Sequence, residues 1–107
     1  MAGSNVVPLR MKRIKAQEIV RRRAADTSNI ILSNHAKERM FERDIWAIDV
    51  FRILRNGVIE EEPQKTDRGE WKVKVCMRLK GNRDAGVITI ILDRQRLLVK
   101  TVEWEDL

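Results

Sequence analysis

The sequence predicts an α+β domain in which N-terminal helices pack on one face of a roughly four-stranded antiparallel sheet. Three observations lead there. Apolar residues recur at helical spacing as far as Asn56, the spacing changes to two from Val58 onward, and the later segments are joined by connections too short for parallel crossovers. At 107 residues, with 43% hydrophobic and 36% charged side chains, the chain suits a single domain with a modest core under a heavily charged surface.

Taken in order, residues 1–7 read as a disordered start. Pro8 is a good first-turn residue for a basic helix over residues 8–25. Leu9, Ala16, Val20 and Ala24 give it an apolar stripe, while Arg10, Lys12, Arg13, Lys15, Arg21, Arg22 and Arg23 fill most of the rest. Residues 26–29 are all turn formers. Ile30-Ile31-Leu32 either anchors as a strand or packs as a lead-in to the next helix. Ser33 or Asn34 caps that helix, and Ala36 and Met40, four apart, point into the core. Asp44 breaks it. A third helix follows from about Trp46 to Arg55, with Ile48, Phe51 and Leu54 every three residues and Val50 and Ile53 beside them. Gly57 ends it, suited to the left-handed position past a helix.

The strand half opens at Val58-Ile59 and is interrupted by Glu60-Glu61-Glu62-Pro63. After a turn at residues 66–69, Trp71, Val73, Val75, Met77 and Leu79 alternate with Lys72, Lys74, Cys76, Arg78 and Lys80, the clearest strand in the chain. Further strands run from Val87 to Leu92 and from Leu97 to about Trp104, each preceded by turn-forming polar residues.

The net charge of +6 is unevenly placed. Residues 1–43 hold ten Lys and Arg against four Asp and Glu, whereas residues 44–107 hold twelve of each. A concentrated positive field recruits polyanions, nucleic acid first among them. Within that basic part lies His35, the only histidine, followed at helical spacing by Arg39 and Arg43. Imidazole moves protons near neutral pH and guanidinium grips phosphate through a planar fork. The row is therefore either a phosphodiester site or a solvated face. A second candidate is the ladder of Lys72, Lys74, Arg78 and Lys80, which suits phosphate backbones and equally suits protection of a sheet edge. Arg21 and Arg22 on the first helix complete the nucleic-acid-binding candidates.

Several chemistries drop out. Cys76 stands alone, so no disulfide closes within the chain, which fits a reducing cytoplasm. One His and one Cys supply no zinc set of those ligands, and residues 81–86 lack the Lys-Ser/Thr ending of a phosphate loop, so no metal or cofactor is expected. His35 and Cys76 lie in different elements without a third member, which leaves no nucleophilic triad and makes Cys76 an inert, half-buried thiol. The glutamates at 60–62 read as a solvated loop. Trp46, Trp71 and Trp104 without any tyrosine do not make a stacking platform for single strands. No apolar stretch is long enough to span a bilayer, so no membrane partner is expected.

The run His35-Ala36-x-x-Arg39-Met40-x-x-Arg43-x-Ile45, continued by Asp49-Val50, Leu54, Gly57, Ile59-Glu60 and a strand-rich half ending near Val99-Lys100-Thr101-Val102, resembles a bacterial family catalogued as domain of unknown function 4258. The resemblance runs from about Ser33 to Thr101, with residues 33–107 as the family-like core. That family looks related to RelE-like and BrnT-like toxins of toxin–antitoxin systems, small metal-independent endoribonucleases with helices packed on an antiparallel sheet. The resemblance implies an RNA-directed protein, cytoplasmic and ribosome-associated or not, with a cognate antitoxin as a partner. Carried over residue by residue, it reaches His35, Arg39, Arg43 and Thr101. Asp44 stands where glycine is common and Trp46 where a small capping residue is usual. RelE-like enzymes often place a tyrosine or lysine at the scissile phosphate; here that role falls to Lys74 or Arg78. The expected activity is RNA cleavage by 2′-hydroxyl attack, with His35, Arg39, Arg43 and Arg78 as the catalytic set. The alternatives are a nucleic-acid or ribosome-binding module without catalysis and an adaptor that pairs its basic helix with a partner.

Overall fold

The structure, a computed structural model, describes residues 11–106. Pro8 and the expected disorder of residues 1–7 lie outside them, but the basic helix expected over 8–25 is corrected within them: it begins at Arg13, because Lys12 is extended (φ −79°, ψ 150°) as its N-cap. Three helices, α1 (Arg13–Ala24), α2 (Asn34–Arg43) and α3 (Ala47–Asn56), pack against six strands: β1 (Ile30–Leu32), β2 (Val58–Ile59), β3 (Gln64–Lys65), β4 (Trp71–Leu79), β5 (Arg83–Ile91) and β6 (Leu97–Trp104). The fold is α+β, and the sheet has more strands than the four expected.

The sheet order is β1-β6-β5-β4-β2, with β3 also pairing with β4. β1 joins β6 in parallel, so the sheet is mixed rather than antiparallel throughout. A parallel pair needs a long connection, and here nearly the whole domain lies between the two strands. β3 is two polar residues paired with Lys72 and Trp71, too short to show any alternation. β5 begins at Arg83, ahead of the expected Val87, because Arg83 and Asp84 continue the ladder opposite Leu79 and Arg78. Gly81 and Asn82, at φ 72° and 56°, make the tight connection.

Register sorts the two sheet faces. Trp71, Val73, Val75 and Met77 pair with Ile91, Thr89, Val87 and Ala85 on the helix side. An irregularity at Ile88/Thr89 leaves Lys100 without a partner in the ladder, which lets Val99 and Val102 share that side despite their odd spacing. Ala16, Ile19, Val20 and Ala24 of α1, Ala36 of α2, and Val50, Ile53 and Leu54 of α3 complete a single core against it. The expected Ile48–Phe51–Leu54 stripe is thus corrected: Ile48 is 66% exposed, and the sheet takes the neighbouring face of α3.

Gly57 is a second correction. Its φ of −76° is ordinary, so no left-handed bend is needed. A Cβ there would lie 2.6 Å from the Ile53 carbonyl oxygen and 2.7 Å from that of Cys76, so glycine is required by close packing. The left-handed residue is Asp44 instead, at φ 55°, closing α2 while the Ile45 N–H donates to the Met40 carbonyl at 2.9 Å.

Candidate nucleic-acid interface

α2 carries the His-Arg-Arg row and is fastened to β6 at both ends. Ser33 caps it, accepting from the Ala36 N–H at 3.0 Å, and donates its own hydroxyl to the Lys100 carbonyl at 3.1 Å. At the far end the Trp104 indole N–H donates to the Arg43 carbonyl at 2.9 Å. With Ala36 buried, the row runs along one flank of the helix and covers about 12 Å between His35 and Arg43. His35 is exposed, and Arg39 and Arg43 are half-buried. Glu42 sits between the two arginines, paired with Arg39 and 3.7 Å from Arg43, so one carboxylate offsets two guanidiniums. Arg83 lies over the Trp104 ring at 4.2 Å and forks onto Asp106, which adds a cation near the end of α2 that the sequence reading did not single out.

The strand cations stand elsewhere. Lys72, Lys74 and Arg78 project from the bare face of the sheet, away from the core into which α2 packs. Register sets acids beside them: Arg78 faces Asp84 and bonds it at 3.1 Å, and Lys74 reaches Glu105 at 2.7 Å and Glu103 at 3.6 Å. Lys80 falls in the turn after β4 and approaches Asp44 at 3.8 Å, so it alone of the four comes to the end of α2. Arg21 bonds the Gly57 carbonyl at 2.8 Å and caps the end of α3, whereas Arg22 is exposed on α1. Thr101 faces Ile88 in β5.

The cluster that sequence reasoning missed lies on the bare face. Lys74 and Glu105 lie across the backbone of Gly86, where a Cβ would meet Glu105 Oε2 at 2.7 Å, and the Cys76 Sγ is 3.7 Å from Glu105 Oε1. Burial, aided by the neighbouring Glu105 carboxylate, pushes the Cys76 thiol up to about 12, which keeps it protonated and unreactive. Burial also raises Glu103, with a hydrogen bond to Glu105 adding to it. Glu105 resists the same burial, because the Lys74 and Glu103 hydrogen bonds hold it below the usual carboxylate range. A groove of about 220 Å³ opens beside Glu103, Lys72 and Lys74. A lone glycine within a strand pattern was the one signal that a side chain crosses the backbone there.

Fold and surface together define a basic α+β domain with a cationic row on its helix layer and a charge-balanced bare sheet face. The chain belongs to the family described as Domain of unknown function (DUF4258), whose model matches residues 32–104, from the last residue of β1 to the last of β6. No curated protein and no solved structure matches the chain. Among the described residues no helix is long and apolar enough to cross a membrane.

Proposed function

We propose that this protein binds RNA along the outer flank of α2. The observation that carries the reading is the row itself: one imidazole and two guanidiniums in line on a helix fastened at both ends, opposed by the single carboxylate of Glu42. The surplus charge of residues 1–43 supplies the long-range attraction. A partly buried row loses little freedom when it meets a phosphate backbone, which favours it over fully exposed, freely rotating cations.

The finer reading is a metal-independent ribonuclease of toxin type with a cognate antitoxin. His35 takes the 2′-hydroxyl proton, the 2′-oxygen attacks phosphorus as the bond to the 5′-oxygen breaks, and the imidazolium returns the proton to that leaving oxygen. Arg39 and Arg43 hold the charge that builds on the phosphoryl oxygens. The adaptor reading is weaker, because the α1 stripe of Ala16, Ile19, Val20 and Ala24 is already buried within the same chain.

One experiment separates these. Purified protein is incubated with labelled single-stranded RNA in EDTA, and binding and cutting are measured for wild type, His35→Ala and the Arg39→Glu/Arg43→Glu pair. The expected result is binding lost in the double variant, with cutting lost and binding kept in His35→Ala. Binding that survives the double variant removes the proposal. Cutting that is absent, or unchanged in His35→Ala, removes the nuclease reading and leaves the binding one.

A further inference from the structure

The flank of α2 away from its cationic row is apolar and uncovered. Phe41 is 90% exposed, and across the α2–α3 corner Trp46 is 63% and Ile48 66% exposed. Lys37, Met40, Phe41, Asp44 and Trp46 line a groove of about 390 Å³. Core formation does not need Phe41, Trp46 or Ile48, since α3 buries Val50, Ile53 and Leu54 instead and Met40 alone of the groove's apolar side chains on α2 reaches the core. Trp46 also occupies the N-cap of α3, where a short polar side chain would cap more strongly. Its indole N–H is held by Asp44 Oδ1 at 3.1 Å and its backbone N–H by Asp49 Oδ2 at 2.9 Å. A large aromatic ring is thus fixed in open solvent beside a groove and a second bare aromatic, the composition of an interaction hot spot.

The rim decides the charge of the occupant. Lys37 borders the groove, and Arg52 lies one turn beyond Ile48 on the exposed side of α3. Among the described residues neither has a carboxylate within ion-pair distance, whereas Asp44 lies 3.8 Å from Lys80 and Asp49 sits at the positive N-terminal end of α3, accepting the Trp46 backbone N–H. The surface therefore offers unpaired cations beside two carboxylates whose charge is already offset. A second copy of the chain, at +6 and with the same rim, is not complementary to it.

We propose that this groove docks an amphipathic helix from an acidic protein partner. Apolar residues one turn apart sit on Phe41, Trp46 and Ile48, and flanking Glu or Asp side chains meet Lys37 and Arg52. The site is separate from the RNA-binding row, so α2 presents two faces to two partners.

The test uses the full chain and two labelled synthetic helices that share a leucine stripe at i, i+3, i+4 and i+7, one filled with glutamate and the other with lysine. Anisotropy titration should show saturable binding of the glutamate helix and at least a roughly tenfold weaker response to the lysine helix. Phe41→Ser should weaken the glutamate helix by about tenfold or more, while near-UV circular dichroism and RNA affinity stay as in wild type. The Lys37→Glu/Arg52→Glu pair should reverse the preference between the helices. Equal affinity for both helices, no effect of Phe41→Ser, or an RNA affinity that falls in parallel would each overturn the proposal. So would sedimentation showing a dimer of the chain that Phe41→Ser dissociates.

Discussion

Lys74 bridges two carboxylates whose pKa values move in opposite directions, burial raising Glu103 while the Lys74 and Glu103 hydrogen bonds outweigh it at Glu105. Glu105 has a lowered pKa in the folded chain, so the stability it contributes is complete above the unfolded carboxylate range and is lost as pH falls through its folded value. Glu103 has a raised pKa, so its contribution is complete below the unfolded value and is lost as pH rises through the folded one. The two are most favourable together when they share one proton above Lys74. Glu103→Gln should therefore raise stability at about pH 7 by no more than a few tenths of a kcal/mol, solvent screening its 40% exposed side chain, and Glu105→Gln should lower it by up to ~1 kcal/mol, Lys74 keeping Glu103 as a partner. The Glu103 effect should vanish on acidification to about pH 3, whereas the Glu105 effect should persist to lower pH before it fades, as urea denaturation across the acid range would show. Gly57 tests packing rather than charge. Gly57→Ala pushes a methyl against two carbonyl oxygens and the Val75 side chain, and a loss of about 2–3 kcal/mol in the same assay is expected.

At the scale of elements, what was legible in the sequence is what is locally encoded. Ser33 marks the start of α2 through a bond only three residues long, and the alternation from Trp71 to Leu79 defines β4 without reference to any other strand. The His35–Arg39–Arg43 row was readable for the same reason, since helical spacing alone aligns it. β1 is ambiguous in the sequence because three apolar residues become a strand only when Leu97, Leu98 and Val99 lie beside them. Which face of α3 meets the core is not legible locally, because apolar side chains lie around much of that helix, and the sheet's position selects Val50, Ile53 and Leu54 over Ile48. The Lys74–Glu103–Glu105 cluster was invisible for want of strand register, which joins β4 to β6 across Gly86. The attachment of α2 is non-local too, and it can be weakened at one point. Trp104→Phe removes the N–H that donates to the Arg43 carbonyl and should cost about 1 kcal/mol. Amide hydrogen exchange should accelerate in the last turn of α2 while α3 keeps its protection, since local opening is confined to the loosened element. Equal acceleration in both helices would mean that the bond stabilises the whole core instead.

For the whole molecule, the net charge of +6 is the residue of 22 Lys and Arg against 16 Asp and Glu, so placement matters more than the total. On the bare sheet face, Lys74 and Arg78 are matched by Glu103, Glu105 and Asp84, and their fields largely cancel a few ångströms out. The uncancelled field belongs to the helix layer. If RNA is held there, each arginine lost from the row removes one phosphate contact, whereas a lysine on the bare face removes none. Arg39→Glu should weaken binding about tenfold and lower the slope of log affinity against log salt by about 1 or less, the single-strand value per contact. Lys72→Glu, which makes the same charge change on the other face, should alter affinity by less than about threefold and leave the slope unchanged. Glu42→Gln carries the argument furthest, because it frees both arginines from their shared carboxylate and should tighten binding several-fold. Affinity measured for these three variants across a salt series distinguishes a row that binds from a molecule that is merely positive. Net charge alone would make Arg39→Glu and Lys72→Glu indistinguishable.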